Sequence, residues 1–299
     1  MTPGCRWPLL ATLMLVSGLP LAEPVVEAET PPASAGGVVS ERIEAASKAA
    51  DNPFALLTYE PNYLIYSYVS QINREPYQRA GESYADELDY HEVKFQISLA
   101  VPLWRGIAGD RSALMGSYTQ LSLWQPANKS VSAPFRETNY EPQLFVSWLP
   151  EYELWGWRLA LFDLGYNHQS NGSSEPLSRS WNRLYANAVI ERGNWAVQFK
   201  PWYRLPEDAE DDDNPDLEDY VGHALLRVAY RGGDHVWSGR GRFNPGTGKG
   251  GLELGWSYPL SDRFRIYAQL YQGYGESLVD YNHEQTRIGI GLMLNDVIQ

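Results

Sequence analysis

The sequence predicts an all-β protein, a twelve-stranded antiparallel transmembrane β-barrel. Three observations carry that prediction. Segments with strict period-two alternation recur about twelve times after residue 60. The connections between them alternate between short turns and long loops. Trp and Tyr are abundant, 11 and 20 against 8 Phe, which is the amphipathic aromatic excess that a membrane–water interface selects.

The alternation is plainest near the C-terminus. Thr286, Ile288, Ile290, Leu292 and Leu294 fall on one face, with Gln285, Arg287, Gly289 and Gly291 on the other. Phe264, Ile266, Ala268 and Leu270 oppose Arg263, Arg265, Tyr267 and Gln269. Leu252, Leu254, Trp256 and Tyr258 oppose Glu253, Gly255 and Ser257, and Leu226 and Val228 oppose His223 and Arg227. One face is apolar and the other polar, as in a sheet with two different surroundings. The strands are expected near 61–71, 91–103, 112–124, 141–152, 154–167, 181–191, 194–204, 219–231, 234–244, 250–260, 262–273 and 284–295. Each has roughly ten residues or more, enough to cross a bilayer at a tilt. Segment 234–244 fits poorly, because Arg240 and Arg242 share a face with Val236, and a bulge or a different register is expected there.

Short turns fall at Arg105–Asp110, Glu151–Glu153, Arg192–Gly193, Gly232–Gly233 and Ser261–Asp262. Longer loops fall at 72–90, 125–140, 168–180, 205–218 and 274–283. That asymmetry describes an up-and-down outer-membrane barrel. Trp104, Trp124, Trp148, Trp181, Trp202, Tyr258 and Tyr271 lie near strand ends, where an interfacial girdle is expected. A soluble β-sandwich would not require alternating loop lengths or aromatics at so many ends.

Composition agrees. A mean hydropathy of −0.40 excludes a bundle of apolar membrane helices, yet a barrel whose strands are half polar gives such an average. Residues 1–22 are expected to be a secretory signal peptide, with Arg6 as its charge, Pro8–Leu21 as its apolar stretch and Ala22 at the cleavage site. Gly18 and Pro20 disfavour a buried helix there. Cys5 would leave with this segment, so no disulfide or thiol chemistry is expected. Residues 23–51, rich in Ala, Pro, Glu and Ser, are expected to be a flexible leader with a short helix near 40–50, and 52–299 the barrel. The net charge of −13 argues against a nucleic-acid partner and suits divalent cations.

The chemistry concentrates in Gly165-Tyr-Asn-His168-Gln-Ser170-Asn-Gly172-Ser-Ser-Glu-Pro-Leu-Ser178-Arg-Ser-Trp-Asn182. The apolar phase Ala160, Phe162, Leu164 and Tyr166 continues through His168 and Ser170. On the following strand Asn182 opens the apolar phase Leu184, Ala186, Ala188 and Ile190. Three polar groups from adjacent strands therefore meet on the lipid-facing wall, which is costly unless they pair. Paired, they form a hydrolytic triad: Ser170 the nucleophile, His168 the base, Asn182 the group that fixes the imidazole. A substrate reached from the lipid side is a lipid.

Here the sequence resembles the bacterial outer-membrane phospholipase A family. Segment Tyr166–Tyr185 matches its signature. The blocks Phe135–Phe145, Lys200-Pro-Trp-Tyr203, Gly273–Asn282 and Gly289–Asp296 agree, in order, over roughly residues 52–299. The resemblance implies calcium-dependent hydrolysis of phospholipid acyl esters and activation as a homodimer. It assigns the triad roles to Ser170, His168 and Asn182. It implies calcium ligation by backbone carbonyls and serines: Ser173 and Ser178 in the loop, and Ser132 from the partner subunit. Ser173 stands where relatives carry Arg, which suits a carbonyl ligand. The Ser170 or Gly172 N–H would assist at the oxyanion. Gln120, in phase with Leu114, Gly116 and Tyr118, would face lipid and corresponds to a polar contact between subunits.

Other features carry less. Glu207–Asp219 is acidic but lacks EF-hand spacing. It is expected to be a solvated loop, with a looser cation site at Asp213 and Glu175 as the alternative. Gly246–Lys249 lacks the remainder of a phosphate loop. His91, His223, His235 and His283 show no metal-ligand spacing. The competing classes are a channel, which needs inward charges such as Arg263, Arg265, Arg287 and Glu253, and a structural or adhesive barrel.

Overall fold

The computed structural model describes residues 37–50, 52, 55–150 and 152–295. The segment expected to be a signal peptide lies outside them. Twelve long strands make the barrel: β1 (Asn62–Val69), β2 (His91–Arg105), β3 (Ser112–Trp124), β4 (Phe135–Trp148), β5 (Trp157–Ser170), β6 (Ser180–Arg192), β7 (Trp195–Arg204), β8 (Ala224–Gly232), β9 (His235–Asn244), β10 (Lys249–Pro259), β11 (Arg265–Gly273) and β12 (Gln285–Asn295). Each pairs antiparallel with the next. β12 returns to β1, with Ile290 opposite Tyr66, and closes the sheet.

The two faces are inverted relative to a soluble protein. Leu64, Leu144, Leu164, Leu254, Ile288 and Ile290 are exposed, whereas Glu92, Lys94, Asp163 and Arg287 are buried inside. An exterior that is apolar across every strand is stable only against lipid. Among the described residues no helix is long and apolar enough to cross a membrane.

The lumen holds a charge network. Arg287 reaches Glu276 and Glu92 at 2.8 Å each. Glu92 also receives Arg136 at 2.6 Å, and Arg136 reaches Asp280 at 3.0 Å. Lys94 donates to Glu276 at 2.9 Å and to Gln269 at 2.7 Å. Buried charges persist only when paired in this way. Arg265 is likewise inside, donating to Ser257, but Arg263 is exposed at the turn before β11 and does not face the lumen as expected.

Residues 38–49 form helix α1 (Val38–Ala49), at the short-turn end. Glu191 at the foot of β6 accepts the Val39 and Ser40 N–H groups at 2.8 and 3.0 Å, and bonds the Ser40 hydroxyl. Those N–H groups lack partners within the helix, so the barrel caps it.

Several boundaries differ from expectation. β4 begins at Phe135, six residues early, because Arg136, Glu137 and Asn139 are inward polar residues on a strand and not loop residues. β8 begins at Ala224, and the stretch before it is helix α2 (Leu217–Val221). The turn before β5 lies at Trp155–Gly156, both at positive φ, and not at 151–153. β9 has no bulge: it pairs in register with both neighbours. Its pattern is obscure because Gly239 and Gly241 take outward positions between Trp237 and Phe243. A bulge does occur between Leu159 and Leu161, and it leaves Ala160 buried, off the outward face. Of the aromatics near strand ends, Trp104 and Tyr258 are exposed, but Trp181, Trp202 and Tyr271 are buried inside. Those three share the phase of Arg183, Lys200 and Gln269, so position near an end does not make a residue part of the girdle.

Candidate active site

The site sits on the outer wall where β5 and β6 approach the long-loop end. Beyond the bulge, Leu164, Tyr166, His168 and Ser170 follow one another outward, while Asp163 and Asn167 are buried inward. On β6 the register places Asn182 directly opposite His168. His168 Nδ1 lies 2.9 Å from Asn182 Oδ1. Tyr166 donates its hydroxyl to the same oxygen at 2.5 Å. Asn182 Nδ2 donates to Glu207 Oε1 at 2.7 Å. The amide thus has partners at both ends, which offsets the cost of holding it on an apolar wall.

Ser170 follows His168 by two residues on the same face. Its backbone neighbours across the sheet are Ser180 and Tyr140. Gly172 lies just beyond, at φ +65°.

The 171–179 loop is organised by Asn171, which is buried. Its N–H donates to the Arg179 carbonyl at 3.0 Å, its Oδ1 accepts the Arg179 N–H at 3.0 Å, and its Nδ2 donates to the Leu177 carbonyl at 2.8 Å. Ser173 is exposed, and its N–H reaches Asn171 Oδ1 at 3.3 Å. Ser178 donates to Asp213 Oδ2 at 2.5 Å. The Asp213 carboxylate hydrogen-bonds Glu175 and raises that carboxyl above its ordinary range. Ser132 stands in the turn between β3 and β4, exposed at φ +59°, outside the hydrogen bonds of the 171–179 loop.

Gln120 faces outward on β3. Its Oε1 accepts the Tyr118 hydroxyl at 3.1 Å and its Nε2 donates to Ser122 at 3.1 Å. Ser122 lies 3.1 Å from Thr138 Oγ1, so a short polar ladder runs along the wall.

Among the described residues no group of three or more His, Cys, Asp or Glu could hold a metal. Ser173 is exposed, and its carbonyl, the Ser178 hydroxyl and the Asp213 carboxylate are all oxygen donors, a set that fits a hard cation such as calcium.

Sequence reasoning missed Tyr166, Asn171 and Glu207. Tyr166 shares the phase of His168 and was findable. Asn171 and Glu207 act from loops, where no periodicity marks them.

A closed barrel, apolar outside and charged within, with a hydrogen-bonded His–Asn pair on its outer wall, defines a membrane-spanning β-barrel with a polar site at the lipid surface. Comparison with known proteins narrows this class. A family model described as phospholipase A1 matches residues 39–294. The phospholipase A1 of Klebsiella pneumoniae is 49% identical over 290 residues, covering 96% of this chain and 98% of that protein. That of Escherichia coli K12 is 49% identical, covering 97% of each. The solved outer membrane phospholipase A from Escherichia coli superimposes with a TM-score of 0.79 at 52% identity, covering 82% of this chain and 100% of that one. A calcium-bound dimer of the Salmonella typhi outer membrane phospholipase gives 0.79 at 51%, covering 82% and 94%. The chain belongs to the phospholipase A1 family, enzymes built on the β-barrel of the bacterial outer membrane.

Proposed function

We propose that the chain is a calcium-dependent outer-membrane phospholipase, active as a homodimer, that hydrolyses the sn-1 and sn-2 acyl esters of phospholipids and lysophospholipids. The observation that carries the mechanism is the His168–Asn182 hydrogen bond on the same outward face as Ser170. Ser170 Oγ attacks the acyl carbonyl while His168 Nε2 takes its proton. His168 then returns that proton to the departing lysophospholipid oxygen. Water, deprotonated by the same imidazole, attacks the acyl carbon, and His168 returns the proton to Ser170 Oγ as the fatty acid leaves. Asn182 Oδ1 holds Nδ1 throughout, and the Gly172 N–H assists at the oxyanion.

Calcium, held by the Ser173 carbonyl, the Ser178 hydroxyl and Ser132 of the partner subunit, would supply electrophilic stabilisation of the acyl oxygen. The calcium-bound Salmonella typhi dimer supports both the cation and the assembly. A solved Escherichia coli variant, described as an active-site mutant with an asparagine replaced by alanine, supports an asparagine in the site. Gln120 is assigned to the dimer contact, and residues 1–22 to export.

The test is fatty-acid release from phospholipid micelles by refolded protein, with calcium and with a chelator. Release that needs calcium is expected. No release with calcium present overturns the proposal.

A further inference from the structure

We infer that Glu207 is a positioning residue, which fixes the orientation of the Asn182 amide and through it the tautomer of His168. This rests on Ser170, His168 and Asn182 acting as the triad.

The two ends of an asparagine amide have the same shape but opposite hydrogen-bonding sense. If Oδ1 faces His168, the neutral imidazole carries its proton on Nδ1 and leaves Nε2 free as the base. If Nδ2 faces His168, it donates to Nδ1, the proton moves to Nε2, and the base is lost. Tyr166 cannot decide between these, because a hydroxyl donates or accepts. An ionised carboxylate only accepts. Glu207 Oε1, 2.7 Å from Nδ2, therefore fixes the amide in the productive sense.

Glu207 is held where it can do this. The Leu205 N–H donates to the carbonyl of Asn182 itself at 2.8 Å, so the loop leaves the sheet beside the residue that it orients. Arg204 clasps the same loop through Asp212 at 2.6 Å and the Asn214 carbonyl at 3.0 Å. The acidic segment 207–219, which no motif explained, thus begins with a residue that touches the triad.

The experiment measures fatty-acid release by the full chain in micelles with calcium, for Glu207→Ala and Glu207→Gln, each with Asn182 and with Asn182→Asp. With Asn182, Glu207→Ala lowers kcat about tenfold at unchanged KM, a loss typical of a base held in the wrong state. Glu207→Gln, whose amide presents a donor as readily as an acceptor, keeps the packing but no longer fixes the sense, and loses kcat nearly as much as Glu207→Ala. With Asn182→Asp either carboxylate oxygen serves His168 and Glu207 only repels. There Glu207→Ala raises the rate, by about threefold. Imidazole 15N shifts, read with or without turnover, report the Nδ1–H tautomer in the parent and a mixture in Glu207→Ala. Equal losses in both Asn182 backgrounds, or an unchanged tautomer, overturn the inference. Failure of the triad itself is distinguishable, because full activity of Ser170→Ala would reveal it whatever Glu207 does.

Discussion

A Cβ placed on Gly172 would stand 3.1 Å from Cε2 of Tyr140, so the backbone just past Ser170 lies against that ring. The φ of +65° at Gly172 adds strain to any side chain there. Gly172→Ala should therefore displace the N–H assigned to the oxyanion while leaving the barrel closed. A fall in kcat of roughly 10- to 100-fold is expected, near the range for loss of one oxyanion donor. Micelle assays on folded protein check this, and parent-level kcat would remove Gly172 from the site.

Ser170→Ala should abolish hydrolysis, by about a thousandfold or more, because no other group supplies the nucleophile. The hydroxyl faces outward at the strand end, so heat-dependent gel mobility of the folded barrel should not change. Asn182→Ala should cost less, about 10- to 1000-fold, since it removes an orienting group and leaves nucleophile and base in place. Activity of Ser170→Ala equal to the parent would exclude it as nucleophile.

Much of this was legible in the sequence because a barrel wall writes its two environments at period two. The phase alone placed His168, Ser170, Asn182 and Gln120 on the outer wall, and the structure finds all four there. Phase fails where the backbone changes register or the side chain shrinks. The bulge at Leu159–Leu161 misplaced Ala160, and Gly239 and Gly241 hid the regularity of β9. Proximity to a strand end does not reveal which wall a residue faces, so Trp181 and Trp202 passed for girdle residues. Loop residues were out of reach: Asn171 and Glu207 owe their places to tertiary contacts that no local pattern encodes.

Gln120 already bonds Tyr118 and Ser122 within one chain. Against a second subunit the amide would exchange these for partners across a dry interface, where an interhelical or interstrand amide contact is modest but directional. Gln120→Ala should weaken calcium-dependent self-association by roughly three- to tenfold, with monomer stability nearly unchanged. Sedimentation in detergent with calcium checks this. An unaltered dimerisation constant would take Gln120 out of the contact.

Acid should loosen the barrel through Glu276. This residue lies in the loop after β11, yet its carboxylate reaches inward to Arg287 at 2.8 Å and Lys94 at 2.9 Å. Burial pushes its carboxyl up, but the Arg287 and Lys94 charges outweigh that and bring it to about 2. An unfolded glutamate protonates near pH 4.3. Between these values the unfolded chain binds a proton that the folded chain does not. The stability from this group is therefore complete above about pH 4.5 and is lost as the pH falls toward 2, on the order of 3 kcal/mol in all. Glu276→Gln should lower stability at pH 7 and flatten the decline between pH 5 and 3. Denaturant unfolding in micelles, compared between parent and variant at both pH values, isolates Glu276 from the other carboxylates. Parallel pH profiles for the two proteins would show that Glu276 does not supply this acid sensitivity.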